Sequence, residues 1–92
     1  MEITVYSKPG CVQCQFTAKA LDRAGLQYAY VDVLEDPEAK AAAMSHGFTS
    51  LPIVAVGQPG EEPGAVWSGF RPANITALAQ PGVSLAGLDA RG

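Results

Sequence analysis

Cys11 and Cys14 are the only cysteines in the chain, and they fall where a strand gives way to a helix. Glu2-Ile3-Thr4-Val5-Tyr6 reads as the strand, Ser7-Lys8-Pro9-Gly10 as the turn, and the run from Val12 to Gly25 carries helical spacing. Cys11 is thereby placed at a helix N-terminus. Free backbone N–H groups and the helix macrodipole favour negative charge there, so the position stabilises a thiolate. In that setting a Cys-x-x-Cys pair works as a redox couple. Thr17, Ala20, Leu21 and Ala24 form the apolar stripe of the helix, and Gly25 supplies its stop. Cys14 lies within roughly 60° of that stripe at about 100° per residue, whereas Cys11 lies farther round, at the open end. The spacing predicts an exposed Cys11 and a sheltered Cys14.

The rest of the chain supplies a frame for that pair. Gln27 to Val31, running on to Val33, reads as a second strand. Asp36-Pro37-Glu38 is a helix start, with an Asp able to cap, a Pro at the first helical position and an acid in the first turn. That helix is alanine-rich through Met44 and ends at Gly47. Pro52 to Val56 reads as a short buried strand, and the turn-rich stretch from Gly57 to Gly64 leads to Ala65-Val66-Trp67, giving a hairpin with a long loop. The last helix begins near Pro72, with Ile75, Leu78 and Ala79 on one face. Residues 81–92 fade into Gly and Ala and are expected to be a flexible C-terminal tail on a domain of residues 1–80. A βαβ unit followed by a hairpin and a helix predicts an α/β sandwich with a mixed four-stranded sheet flanked by three helices. A Cys-x-x-Cys pair at the end of its first strand points to the thioredoxin-like class.

Composition narrows the function from the other side. The chain has 92 residues, 48% hydrophobic and 16% charged, with a net charge of −3. One domain of this size buries a core without staples. With that charge and no cluster of Lys or Arg, nucleic acid is not the expected partner. No apolar run approaches the roughly 18 residues of a spanning helix, and no basic segment precedes the first strand, so a cytoplasmic address is the expectation. In the cytosol a paired dithiol is more often catalytic or metal-binding than structural. A zinc site needs about four ligands, and Cys11, Cys14 and the lone His46 offer three candidates, so no metal is expected.

Two further segments bear on the dithiol. Leu51-Pro52 opens the third strand; a proline is tolerated there because it need not donate to the ladder. The X-Pro bond is open to either isomer, and a cis bond would bring the Leu51 backbone close to the thiols. Trp67-Ser68-Gly69-Phe70-Arg71-Pro72 joins the last strand to the last helix. Read plainly, Trp67 and Phe70 are core, Gly69 a turn and Arg71 a solvated charge. Read functionally, the segment is a partner-binding surface beside Cys11, wired by Ser68 and Arg71. Phe16, off the core stripe and one turn beyond the dithiol, is read as core packing, with a partner contact as the alternative.

Taken together, Tyr6-Ser7-Lys8-Pro9-Gly10-Cys11-Val12-Gln13-Cys14, the Gly47-Phe48 and Leu51-Pro52 stretch, and Trp67 to Pro72 resemble the NrdH-type redoxins, which are glutaredoxin-like electron donors. The match spans residues 1 to about 80. The resemblance implies a thioredoxin fold, a cis Pro52, Cys11 as nucleophile and Cys14 as resolving thiol. Lys8, Val12, Gln13, Leu51 and Pro52 would support the active site. It also implies electron transfer from thioredoxin reductase to class Ib ribonucleotide reductase. A monomer with no cofactor beyond its own disulfide is expected. The glycine-and-aspartate segment that glutaredoxins use for glutathione is replaced here by the Trp67–Pro72 sequence. Two departures from the family pattern bear on partner choice: Ala73 stands where an acid is usual, and the loop carrying Glu61-Glu62 is longer. A glutathione-dependent glutaredoxin is the alternative, followed by a redox-switched binding module. The latter resembles longer chains with a helical insertion for which this sequence has no room.

Overall fold

The computed structural model describes residues 1–58, 60–82, 85 and 88. Most of the tail expected over residues 81–92 lies outside them. Strand β1 (Glu2–Ser7) is followed by helix α1 (Val12–Arg23), strand β2 (Ala29–Asp32), helix α2 (Pro37–Met44), strands β3 (Ile53–Gly57) and β4 (Ala65–Ser68), and helix α3 (Pro72–Leu78). The four strands form one mixed sheet in the order β2-β1-β3-β4. β1 pairs in parallel with β2, Val5 opposite Tyr30, and antiparallel with β3, Val5 opposite Val54. β3 and β4 are the antiparallel hairpin, with Val54 opposite Trp67. This is the expected thioredoxin-like architecture.

Alternation along the strands sends side chains to two cores. Ile3 and Val5 of β1, Val54 and Val56 of β3 and Trp67 of β4 pack with Leu21 of α1 and with Ile75 and Leu78 of α3. Ile53 of β3 packs with Val33 and with Ala43 of α2, with Tyr6, Phe48, Leu51 and Val66 against them. β3 is therefore buried on both faces, as its unbroken Ile53-Val54-Ala55-Val56 run requires. Each Ile or Val side chain of that run contributes roughly 1.5–3 kcal/mol on full burial.

The helix boundaries follow from local chemistry. Asp36 caps α2, its Oδ1 accepting from the amides of Glu38 at 3.0 Å and Ala39 at 3.2 Å, with Pro37 at the first helical position. α1 stops in a Schellman arrangement. The Leu26 amide donates to the Leu21 carbonyl and the Gly25 amide to Asp22, with Gly25 at φ +73°. Three expectations change. α2 ends at Met44 and not Gly47, with Ser45 as its C-cap. β2 begins at Ala29 and not Gln27, because its register starts opposite Thr4 and leaves it an exposed edge. Ala79 leaves the apolar face, because α3 ends at Leu78 and Ala79 becomes an exposed C-cap; the buried stripe is Asn74, Ile75 and Leu78.

Tyr28 ties the end of α1 to the chain leading into β2. Its hydroxyl donates to Asp22 Oδ1 at 3.0 Å, with the Ala18 carbonyl at 3.3 Å. Partial burial, then the bond to Asp22, raises the Tyr28 pKa above the ordinary 10.0. A raised pKa means that the native state holds this proton more tightly, so the contribution is complete below about pH 10 and is lost as pH rises through the folded value. Urea midpoints at pH 8 and 10.5 are expected to fall by more in the native protein than in Tyr28→Phe. Equal falls in the two would contradict that assignment.

Candidate active site

The turn after β1 delivers Cys11 to the start of α1. Gly10 takes φ +78°, a left-handed conformation that glycine adopts without a Cβ clash. The Cys11 amide then donates to the Lys8 carbonyl at 3.3 Å. Cys11 is the N-cap of α1, with extended backbone at φ −84° and ψ 103°. Its Sγ accepts from the Cys14 amide at 3.2 Å and is joined to Cys14 Sγ in a disulfide, Cα to Cα 5.2 Å. A sulfur in the place usually taken by a Ser or Asp oxygen thus receives one of the orphan N–H groups of the helix.

Burial of the two sulfur residues departs from expectation in one respect. Cys14 is fully buried as predicted, but Cys11 is only 9% exposed. In the disulfide its Sγ is turned inward, onto the Cys14 amide and sulfur, which helical spacing alone does not reveal. The accessible part of the corner is Val12, 57% exposed, together with Lys8, Pro9 and Gly10.

Three segments distant in sequence are tied together beside this corner. The Leu51-Pro52 bond is cis, and the Pro52 carbonyl accepts from the Gly69 amide at 2.8 Å. Ser68 Oγ donates to the Ser50 carbonyl, and Arg71 Nε to the Ser68 carbonyl at 3.4 Å. The amide of Phe70 donates to Gln13 Oε1 at 3.1 Å, bridging the Cys-x-x-Cys segment to the loop that starts α3. The family resemblance implies active-site support for Gln13 without naming a partner. This bond spans 57 residues, and nothing periodic or local in the sequence signals it.

The loop residues divide between core and surface. Trp67 and Ser68 are buried, at 0% and 1% exposure, so neither presents a face to a partner. The plain reading of Trp67 as core holds, because it is the register partner of Val54 on the central strand. Gly69, Phe70 and Arg71 are half-buried and Pro72 is exposed, so these four carry whatever surface the segment offers. Phe16 reverses its expected use. It is 48% exposed, and its ring lies 5.8 Å from that of Phe70 at a 49° tilt. Its position off the apolar stripe of α1 is the physical reason. Among the described residues, no three His, Cys, Asp or Glu side chains gather closely enough to hold a metal ion. No helix there is long and apolar enough to cross a membrane.

A thioredoxin-like fold with a Cys-x-x-Cys pair at the N-cap of α1 defines a thiol–disulfide redox protein. Residues 3–59 match the family model described as Glutaredoxin. The chain is 38% identical over 78 residues to the glutaredoxin-like protein NrdH of Escherichia coli K12, covering 85% of this chain and 89% of that one. It is 30% identical over 77 residues to NrdH of Lactococcus lactis subsp. cremoris, covering 84% and 99%. The solved structure of the Escherichia coli NrdH-redoxin, described as having a thioredoxin-like activity profile, superposes with a TM-score of 0.73 over 85% of this chain and 95% of that one. The chain belongs to the glutaredoxin family, among its NrdH glutaredoxin-like proteins, with Cys11 and Cys14 as the redox-active pair.

Proposed function

We propose that the protein is a cytoplasmic, monomeric dithiol electron carrier, reduced by thioredoxin reductase and donating to class Ib ribonucleotide reductase. It uses no cofactor other than its own Cys11–Cys14 disulfide. The observation that carries the reading is the Cys14 amide aimed at Cys11 Sγ at the helix N-terminus. The same donor and macrodipole would hold a Cys11 thiolate after reduction. That thiolate attacks a disulfide of the target, forming a Cys11–target bond and releasing the other target sulfur, which takes up a proton. Cys14 then loses its proton and attacks Cys11 Sγ, releasing the second target thiol. Two electrons pass to the target, and the Cys11–Cys14 disulfide is restored for the reductase.

Resemblance to the NrdH redoxins supports the two named partners, and the thioredoxin-like activity described for the Escherichia coli protein supports the choice of reductase. Lys8, Val12, Gln13, Leu51 and Pro52 are assigned supporting roles, and Gly69, Phe70, Arg71 and Pro72 the partner-facing surface. The glutaredoxin reading, favoured by the family match over residues 3–59, requires reduction by glutathione instead. NADPH with thioredoxin reductase, set against NADPH with glutathione reductase and glutathione, separates the two. Turnover of a protein disulfide is expected with the first system. Turnover with the glutathione system alone would overturn the proposal.

A further inference from the structure

Gln13 has a polar side chain, exposed to solvent, between two buried cysteines, and no bond of the thiol–disulfide exchange forms or breaks at it. Its backbone is fixed from both directions. It lies within the ring closed by the disulfide, and its carbonyl accepts from Oγ1 of the fully buried Thr17 at 2.9 Å. From that anchored start its side-chain carbonyl takes the Phe70 amide at 3.1 Å. The next amide back, Gly69, is taken by the Pro52 carbonyl at 2.8 Å. Gly69 holds φ +87°, and a Cβ built there would sit 3.5 Å from Gln13 Oε1, so the Gln13 amide packs directly over the glycine. The outcome is a corner held at two successive N–H groups, which sets the Phe70 ring against Phe16.

We propose that Gln13 is a positioning residue that sets substrate class, favouring protein disulfides over small acidic disulfides. The proposal rests on the reading of Cys11 and Cys14 as a disulfide-reducing pair. Two effects act together. Gln13 fills from within a surface N–H that would otherwise be free to receive the carboxylate of a small disulfide such as oxidised glutathione. It also holds Phe70 beside Phe16 and so preserves an apolar rim that a protein partner buries and a small acidic disulfide cannot. In either case the dithiol gives two electrons to the substrate disulfide, which leaves as two thiols while the Cys11–Cys14 bond closes.

The test compares the native chain with Gln13→Ala and Gln13→Glu, each reduced beforehand and freed of reductant. Stopped-flow oxidation by insulin and by oxidised glutathione then gives two rate constants without any reductase. Removing one neutral hydrogen bond is expected to lower the insulin rate about fivefold in Gln13→Ala. The oxidised-glutathione rate is expected to rise about twofold or more, from the freed donor. Gln13→Glu keeps the acceptor; its added charge slows both reactions, but the ratio of the two rates returns toward that of the native chain. Hydrogen exchange at the Phe70 amide should be about fivefold faster in Gln13→Ala and protected in Gln13→Glu. Unchanged Phe70 exchange, or a parallel fall in both rates, would overturn the proposal. A native dithiol that neither disulfide oxidises would instead sink the proposed function, while the exchange comparison still decides whether Gln13 holds the corner.

Discussion

Replacing Cys14 by serine is expected to stop the reaction halfway and leave Cys11 joined to its target. Cys14 Sγ lies one helical turn from Cys11 and is already within bonding distance of it in the oxidised protein. Its attack on the mixed disulfide is intramolecular, and well-oriented intramolecular steps have effective molarities of roughly 10⁵ M or more. An external thiol at millimolar concentration cannot match that. Multiple-turnover reduction of protein disulfides is therefore expected to fall about 10²-fold or more in Cys14→Ser. The first attack, which needs only Cys11, would persist. Mass spectrometry of the variant after exposure to cell extract would then identify targets by the peptides attached to Cys11. Cys11→Ser should trap nothing, since Cys14 is fully buried and has no route to a target. Full turnover by Cys14→Ser would remove the two-thiol mechanism.

Trp67→Ala is expected to be the most destabilising single change outside the dithiol, at roughly 3–5 kcal/mol. Trp67 is the largest fully buried side chain and sits in the core shared by β1, β3, α1 and α3. Domains of this kind are stable by only about 5–15 kcal/mol in total, so the loss is a large fraction. Trp67→Phe should cost much less. The indole Nε1–H is buried with no hydrogen-bond partner among the described residues, a situation that costs about 1–3 kcal/mol. Phenylalanine removes that donor while keeping most of the apolar contact. Urea unfolding of the three proteins checks both values. A loss below about 1 kcal/mol for Trp67→Ala would contradict a core position.

The contrast between Trp67 and Phe16 shows what the sequence makes legible. The sheet and helices were readable because β1 and β3 alternate or run unbroken in apolar residues, and because Asp36-Pro37 and Gly25 mark helix ends by local chemistry. The position of Cys11 at a helix N-terminus was readable for the same reason. Its burial was not, because the Cys11 side chain is joined to Cys14 Sγ and accepts the Cys14 amide, contacts that the helical pattern does not encode. Helical phase put Phe16 off the stripe, but its neighbour Phe70 lies 54 positions away, so the pair emerges only when the loop folds back. Gln13 was least legible of all: a glutamine in a helix has many uses, and its partner is a backbone amide, a group every residue but proline carries. Local signals fixed the elements, while long-range contacts fixed which side chains meet.

The first turn of α1 is expected to keep Cys11 in its reactive form once the disulfide is open. Timed alkylation of the reduced protein by iodoacetamide at pH 7, with the modified residue located by mass spectrometry, tests it directly. Cys11 is expected to react about tenfold faster than the cysteine of an unstructured peptide, while Cys14 stays unmodified. A Cys11 that reacts no faster than the peptide would contradict the account.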